Sequence, residues 1–262
     1  MNPLKHINTL RFLLLATLFL AGCKKETETL QPELPKAYVS TQPGKYITYR
    51  LDSTVFVNFG LGTEVHSYQE KQTVDSMLTD NLGRPSYRVY RYIRDVAGTS
   101  AWKPSGSSWI TVTANNIEVI ENNLRFLKLT APVQEGKDWQ GNRFLPNDTY
   151  GAFYDFGNDD DMSSWTYTYT ATDGSINLAG KSYANVTTVE KVDPLGDSTN
   201  VKSGFQVENT QLFGFKNRLN EKYAKGLGLI YQEYVMWEYQ PPSSPRPGYR
   251  GFGVKRSIID NN

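Results

Sequence analysis

From residue 46 onward the chain alternates. Tyr46-Ile47-Thr48-Tyr49-Arg50-Leu51 opens the pattern, and Val55, Val57 and Phe59 then interleave with Phe56 and Asn58. Successive side chains of a strand point to opposite faces, so a period of two predicts β-strands with one face buried. Glu64 to Leu78 is a long polar segment with one solvent-facing side. Asn81-Leu82-Gly83-Arg84-Pro85 turns the chain, after which Tyr87, Val89, Arg91 and Ile93 interleave with Arg88, Tyr90, Tyr92 and Arg94. Trp109 to Thr113 and Ile117 to Ile120 flank Asn115-Asn116 and read as a hairpin. Leu124 to Leu129 follows. Trp165 to Thr170 sets aromatics on one face and threonines on the other, and Asp173-Gly174 is expected to turn it. Tyr183 to Val192, Gln211 to Phe215, Leu229 to Tyr239 and Gly251 to Ile259 complete the set. Pro241, Pro242, Pro245 and Pro247 forbid a central strand between the last two.

This pattern predicts an all-β fold: a single antiparallel sandwich or half-barrel-like domain of about ten to twelve strands. One stretch, Lys216 to Lys225, ends at Gly226 and reads as a short helix near 216–225 or equally as a strand pair. The least regular region runs from Pro132 to Ser164. Long irregular segments in compact domains often form binding loops or lids, so a site is sought there first.

The front of the chain differs. Lys5 and Arg11 precede the apolar run Phe12 to Leu20, which has the order and length of an export leader and is too short to span a bilayer. Leu20-Ala21-Gly22-Cys23 resembles the bacterial lipobox, in which a diacylglycerol is attached to the cysteine and the leader is removed before it. That divides the chain into a lipoprotein signal peptide (1–22), a lipidated flexible tether (23–43) and an antiparallel β domain (44–262). Pro32, Pro35 and Pro43 with few apolar neighbours support the spacer reading. Two acyl chains suffice for stable anchoring, since each buried methylene contributes about 0.8 kcal/mol. No Asp follows Cys23. Lys24, Lys25, Glu26 and Glu28 resemble the lysine-plus-acidic export signal of Bacteroidetes lipoproteins, with Thr27 interrupting the acidic pair. The localisation implied is the outer membrane, lipid-anchored and facing the cell exterior.

Composition then narrows the chemistry. Two of the 28 basic residues leave with the leader, against 27 acidic residues, so the remainder carries a net charge of −1. That balance offers no field for nucleic acid. Aromatic residues make up 13% of the chain, which suits half-buried pleated surfaces. With Cys23 acylated no thiol remains, and with His6 in the leader His66 is the only histidine, so cysteine-metal, multi-histidine zinc and disulfide chemistry are excluded within one chain. His66 lies in an alternating segment with no nucleophile-elbow pattern, as an ordinary strand residue.

Four segments resemble a group of uncharacterised Bacteroidetes outer-membrane lipoproteins. Gly44 to Ser53 resembles their "GxYWxYxxDS" opening strand, with Ile47 where Trp is usual. Gly136-Lys137-Asp138-Trp139-Gln140-Gly141-Asn142 resembles "GxxWxGN", Tyr223 to Tyr231 resembles "YAKGVGLVY", and Gly248 to Val254 resembles the closing strand. The resemblance implies location and fold and brings no activity with it.

Candidate chemistry is sparse. Asp159, Asp160 and Asp161, after Asn158, could offer oxygens to calcium, but they are consecutive where an EF-hand alternates its ligands; a solvated acidic loop is the favoured reading and no cofactor is expected. Carboxylate pairs for hydrolysis are plentiful and none is singled out. No phosphate loop, dinucleotide fingerprint or zinc motif occurs, so the protein is expected not to be an enzyme. The favoured function is a non-catalytic surface binding or structural module, with Trp102 and Trp139 as candidate platforms for a glycan or partner protein. The alternative is a carrier of a lipid or other apolar ligand in a curved-sheet cavity; a carboxylate-dependent hydrolase ranks below both.

Overall fold

The computed structural model describes residues 33–154, 162–191, 198–202 and 204–262. Among the described residues, twelve antiparallel strands form one sheet. They are β1 (Tyr46–Val57), β2 (Gly62–Thr79), β3 (Pro85–Asp95), β4 (Lys103–Val112), β5 (Asn116–Glu121), β6 (Leu124–Thr130), β7 (Asp138–Gln140), β8 (Thr166–Leu178), β9 (Lys181–Lys191), β10 (Gly214–Ala224), β11 (Gly228–Gln240) and β12 (Gly248–Asn261). The order across the sheet is β6-β5-β4-β3-β2-β1-β12-β11-β10-β9-β8-β7, so every pair is sequential except β12 with β1.

The two edges, β6 and β7, are consecutive in the chain, and the sheet curls until they meet. Leu127 N donates to Gly141 O at 2.8 Å. Trp139 Nε1 donates to Leu127 O at 2.9 Å. The Tyr169 hydroxyl donates to Thr130 O at 2.8 Å and accepts from Thr130 N at 2.9 Å. The result is a nearly closed barrel-like sheet, and closure satisfies edge groups that would otherwise template aggregation.

Two expectations change and one open alternative is decided. Of the helix and strand readings of 216–225, the strand is the one observed, ending at Ala224 with Lys225 in the turn. Leu219, Glu221 and Tyr223 are buried while Arg218 is exposed, a period of two held between β9 and β11. A glutamate at an inward position hid that alternation. Gly226 instead serves the β10–β11 turn, at φ 77°. Asp173-Gly174 does not end β8; it sits in a bulged stretch, and the hairpin turn falls at Ala179-Gly180, both with positive φ as a type I′ turn requires. The strand expected at Gln211 begins at Gly214.

The tether expected over 23–43 is described from Glu33, and there it is packed rather than free. Pro35–Tyr38 makes a 3-10 turn, Tyr38 is 1% exposed, and Ala37 and Val39 lie against the main core. Ala37 O accepts from Gly226 N at 2.7 Å and Glu33 O from Val133 N at 2.9 Å. The apolar side chains between the prolines make this segment a strap over one end of the barrel.

Much of the irregular stretch 132–164 also packs. Leu145, Tyr150 and Met162 join the main core, and the Tyr150 ring meets Phe252 at 5.0 Å and Tyr234 at 6.3 Å. A separate cluster lies on another face, where Phe205 and Val207 cover Trp237 and Tyr249. Gly253 leaves the space that the Phe205 ring fills: a Cβ there would stand 2.2 Å from it.

Candidate functional site

The register places Glu221, Gln232, Arg256 and Leu51 opposite one another across β10, β11, β12 and β1. Two residues along in one direction stand Leu219, Tyr234 and Val254, which belong to or pack on the main core. In the other direction come Tyr223, Leu229 and Tyr49, towards the strap. On the facing wall, Gln72 is opposite Arg91 and Ser108 is opposite Glu121. The barrel therefore carries a polar belt across its middle, with packed core on one side and open space on the other.

The belt is fully connected. Arg256 donates to Glu70 at 3.1 and 3.3 Å, to Glu121 at 3.1 Å and to Gln232 Oε1 at 2.5 Å. Arg91 donates to Glu121 and, at 3.0 Å, to Asn122. Lys128 Nζ donates to Glu221 at 2.6 Å, as do Gln232 Nε2 at 2.7 Å and the Tyr223 hydroxyl at 2.6 Å. Gln72 Nε2 donates to Glu70 at 2.5 Å. Three cations, Arg91, Lys128 and Arg256, thus face three anions, Glu70, Glu121 and Glu221, all of them buried or nearly so except Glu121, whose side chain is half-buried.

The electrostatics follow. Burial alone would raise the Glu121 carboxyl, but Arg256, Arg91 and Lys128 outweigh it and hold it below the usual carboxylate range. Burial works against the Arg256 charge, and Glu70 and Glu121 more than restore it. The Tyr223 hydroxyl is pushed far up, by burial first and then by Glu221; Tyr49 is pushed up by burial and then by Glu70.

Between belt and strap lies a cavity of about 460 Å³, within the range typical of small-molecule sites. Ile47, Val74, Val89, Ile110, Ile117 and Val119 give it an apolar wall, and Gln72, Ser108, Glu121, Lys128, Glu221 and Gln232 a polar floor. Tyr38, Val39, Ser40 and Gln42 of the strap line its rim, where Lys225 pairs with Glu33. The Tyr38 hydroxyl, donating to Glu33 at 2.9 Å, is pushed up to about 12, chiefly by burial.

The residues singled out from sequence stand elsewhere. Trp139 is 9% exposed and spent on the seam, 4.5 Å from the Tyr169 ring, so it offers no open stacking face. Trp102 is half-buried in the β3–β4 loop with the Arg94 guanidinium 4.2 Å over its ring. Neither lines the cavity. His66 lies exposed on β2, 3.0 Å from Glu64. Cys23, Lys24, Lys25, Glu26 and Glu28, and Asp159, Asp160 and Asp161, lie outside the described residues. The belt went unread in the sequence. Its signal is a charge at an inward position of an alternating strand: Glu221 between Leu219 and Tyr223, Lys128 after Phe126, Arg256 between Val254 and Ile258.

Fold and site together define an up-and-down β-barrel, nearly closed, with a neutralised charged belt beneath an interior cavity. No protein-family model matches this sequence, and neither does any curated protein. Among solved structures it is similar to a protein from Bacteroides fragilis named as an exported protein with YmcC-like fold, with a TM-score of 0.40 and 13% identity over 86% of this chain and 98% of that one.

Proposed function

We propose that this protein is an exported, lipid-anchored barrel that holds a small amphipathic ligand in its interior, without catalysis. The observation that carries the proposal is the cavity: apolar walls above a floor of mutually paired charges. Buried ion pairs are a poor way to stabilise a core, because desolvation offsets the attraction and apolar replacements are often as stable. A charged belt bordering an open cavity is better accounted for by recognition. What supports a non-catalytic reading is that the belt carboxylates are engaged as acceptors, Glu221 by three donors and Glu70 and Glu121 by arginines.

Anchoring through Cys23 would give the cavity a source of ligand. Glu33 stands ten positions after Cys23, a reach of at most about 35 Å when fully extended. Glu33 belongs to the strap at the cavity rim, so a diacylglycerol on Cys23 would keep that rim close to a bilayer. Display on the outer membrane, through Lys24, Lys25, Glu26 and Glu28, belongs to the same reading.

Mass spectrometry of the protein purified from its own envelope, intact and after organic extraction, tests both parts. The expected result is a diacylglyceryl modification at Cys23 and a small amphiphile released on extraction. Val119→Trp, which fills the cavity from its wall, should keep the β-rich circular dichroism spectrum and lose the amphiphile. A correctly folded Val119→Trp protein that still carries the same compound would refute the cavity as its site.

A further inference from the structure

Resting on that reading, the geometry points to an uncharged ligand: a single-chain amphiphile whose head bears hydroxyl or amide groups, set on the belt with its chain along the apolar wall. The belt is balanced three against three, and each of its charges already has an opposite partner within the barrel. A carboxylate or ammonium head would bring a fourth charge into this floor. It would either stay unpaired in a poorly solvated space or take a partner from an existing pair, and both are costly. A neutral head avoids the choice. Hydroxyls and amides can use the hydrogen-bonding capacity that remains: Lys128 Nζ carries three N–H bonds, and Ser108 and Gln72 put a hydroxyl and an amide on the cavity lining.

The rim does not reverse this preference. Lys225 is paired with Glu33. Lys45 lines the mouth but is partly exposed, so water and salt screen its attraction for an anion. Chain binding has its place between floor and rim, where Val74, Val89, Ile110, Ile117 and Val119 line the cavity together with Ile47 and Leu229.

The test uses purified full-length protein and three probes of one chain length: a monoacylglycerol, the fatty acid in its ionised form and an alkyltrimethylammonium ion. Each is titrated calorimetrically below its aggregation concentration. The monoacylglycerol should bind, and both ions should bind at least about tenfold more weakly. Glu221→Gln keeps the side-chain shape and leaves one cation of the floor in excess; it should move the preference toward the fatty acid by about tenfold. An ion that binds wild type as well as the monoacylglycerol does, or a folded Glu221→Gln protein with an unchanged preference, overturns the neutral-ligand inference and leaves the cavity reading standing. If none of the three binds and extraction releases nothing, the cavity reading fails as well. Should Glu221→Gln not fold, the wild-type series decides alone.

Discussion

A buried charge is only as stable as its partners. Lys128 and Glu221 lie 93 positions apart in sequence and meet inside the barrel. Lys128→Met is therefore expected to cost about 3–5 kcal/mol, because it strips Glu221 of its cation. Adding Glu221→Met should recover most of that loss, since no unpaired charge remains. Urea unfolding of the two variants checks this: a double variant no more stable than the single one would mean that the pair itself stabilises the fold. A second residue-scale expectation comes from Gly136–Asn142, a segment noticed in sequence but explained only by contacts. A Cβ on Gly141 would stand 2.1 Å from the buried Tyr167 ring, whose hydroxyl donates to Asn142 Oδ1 at 2.6 Å. Gly141→Ala should destabilise by about 1–3 kcal/mol or more through overpacking, read as a lowered melting temperature.

Among elements, the seam between β6 and β7 is the weakest join. β7 is only three residues long, and side chains complete what its backbone leaves open. Trp139→Phe keeps an aromatic ring and loses the bond to Leu127 O, so it should cost about 1 kcal/mol. Hydrogen exchange should quicken at Leu127 and Thr130 before it quickens at the β1–β12 pairing; uniform acceleration would contradict a local seam. Turn chemistry shows how far local sequence reaches at this scale. The Asn115-Asn116 hairpin was legible. Asn122-Asn123, both with positive φ, makes the next tight turn in the same chemistry. Asp173-Gly174 was misread because a bulge and a hairpin turn can call for the same backbone geometry. β10 stayed open between helix and strand because its inward face holds Glu221, and a lone sequence does not show that a partner awaits that charge.

For the whole molecule, tyrosine burial sets an alkaline limit. Tyr49, Tyr167, Tyr169, Tyr223 and Tyr234 are all pushed up chiefly by burial, and Tyr38 is pushed up to about 12. A raised phenol favours the protonated, folded protein. Its contribution is intact below about pH 10, where free tyrosine begins to ionise, and is lost as pH climbs toward the folded values. Unfolding should therefore coincide with a steep rise in tyrosinate absorbance above about pH 10; gradual ionisation of a protein that stays folded would be inconsistent. Glu121 acts in the opposite direction. Its depressed carboxyl contributes stability above the ordinary carboxylate value of about 4.3, and that stability drains away as pH falls through its folded value. Urea midpoints measured on the acid side should fall, and Glu121→Gln should flatten that slope.

Sequence by itself determined that the chain is made of antiparallel strands and which face of most strands turns inward, and it shows an apolar run and a lone cysteine ahead of them. Alternation is a local steric property of the extended backbone, so it is written residue by residue. Tertiary structure decided that one sheet curls until β6 reaches β7, that residues 33–43 strap the rim, and that a charged belt floors a cavity. Arg256 and Glu70 are 186 positions apart, and whether such charges are buried, paired or exposed depends on the curvature of a surface that no single strand encodes.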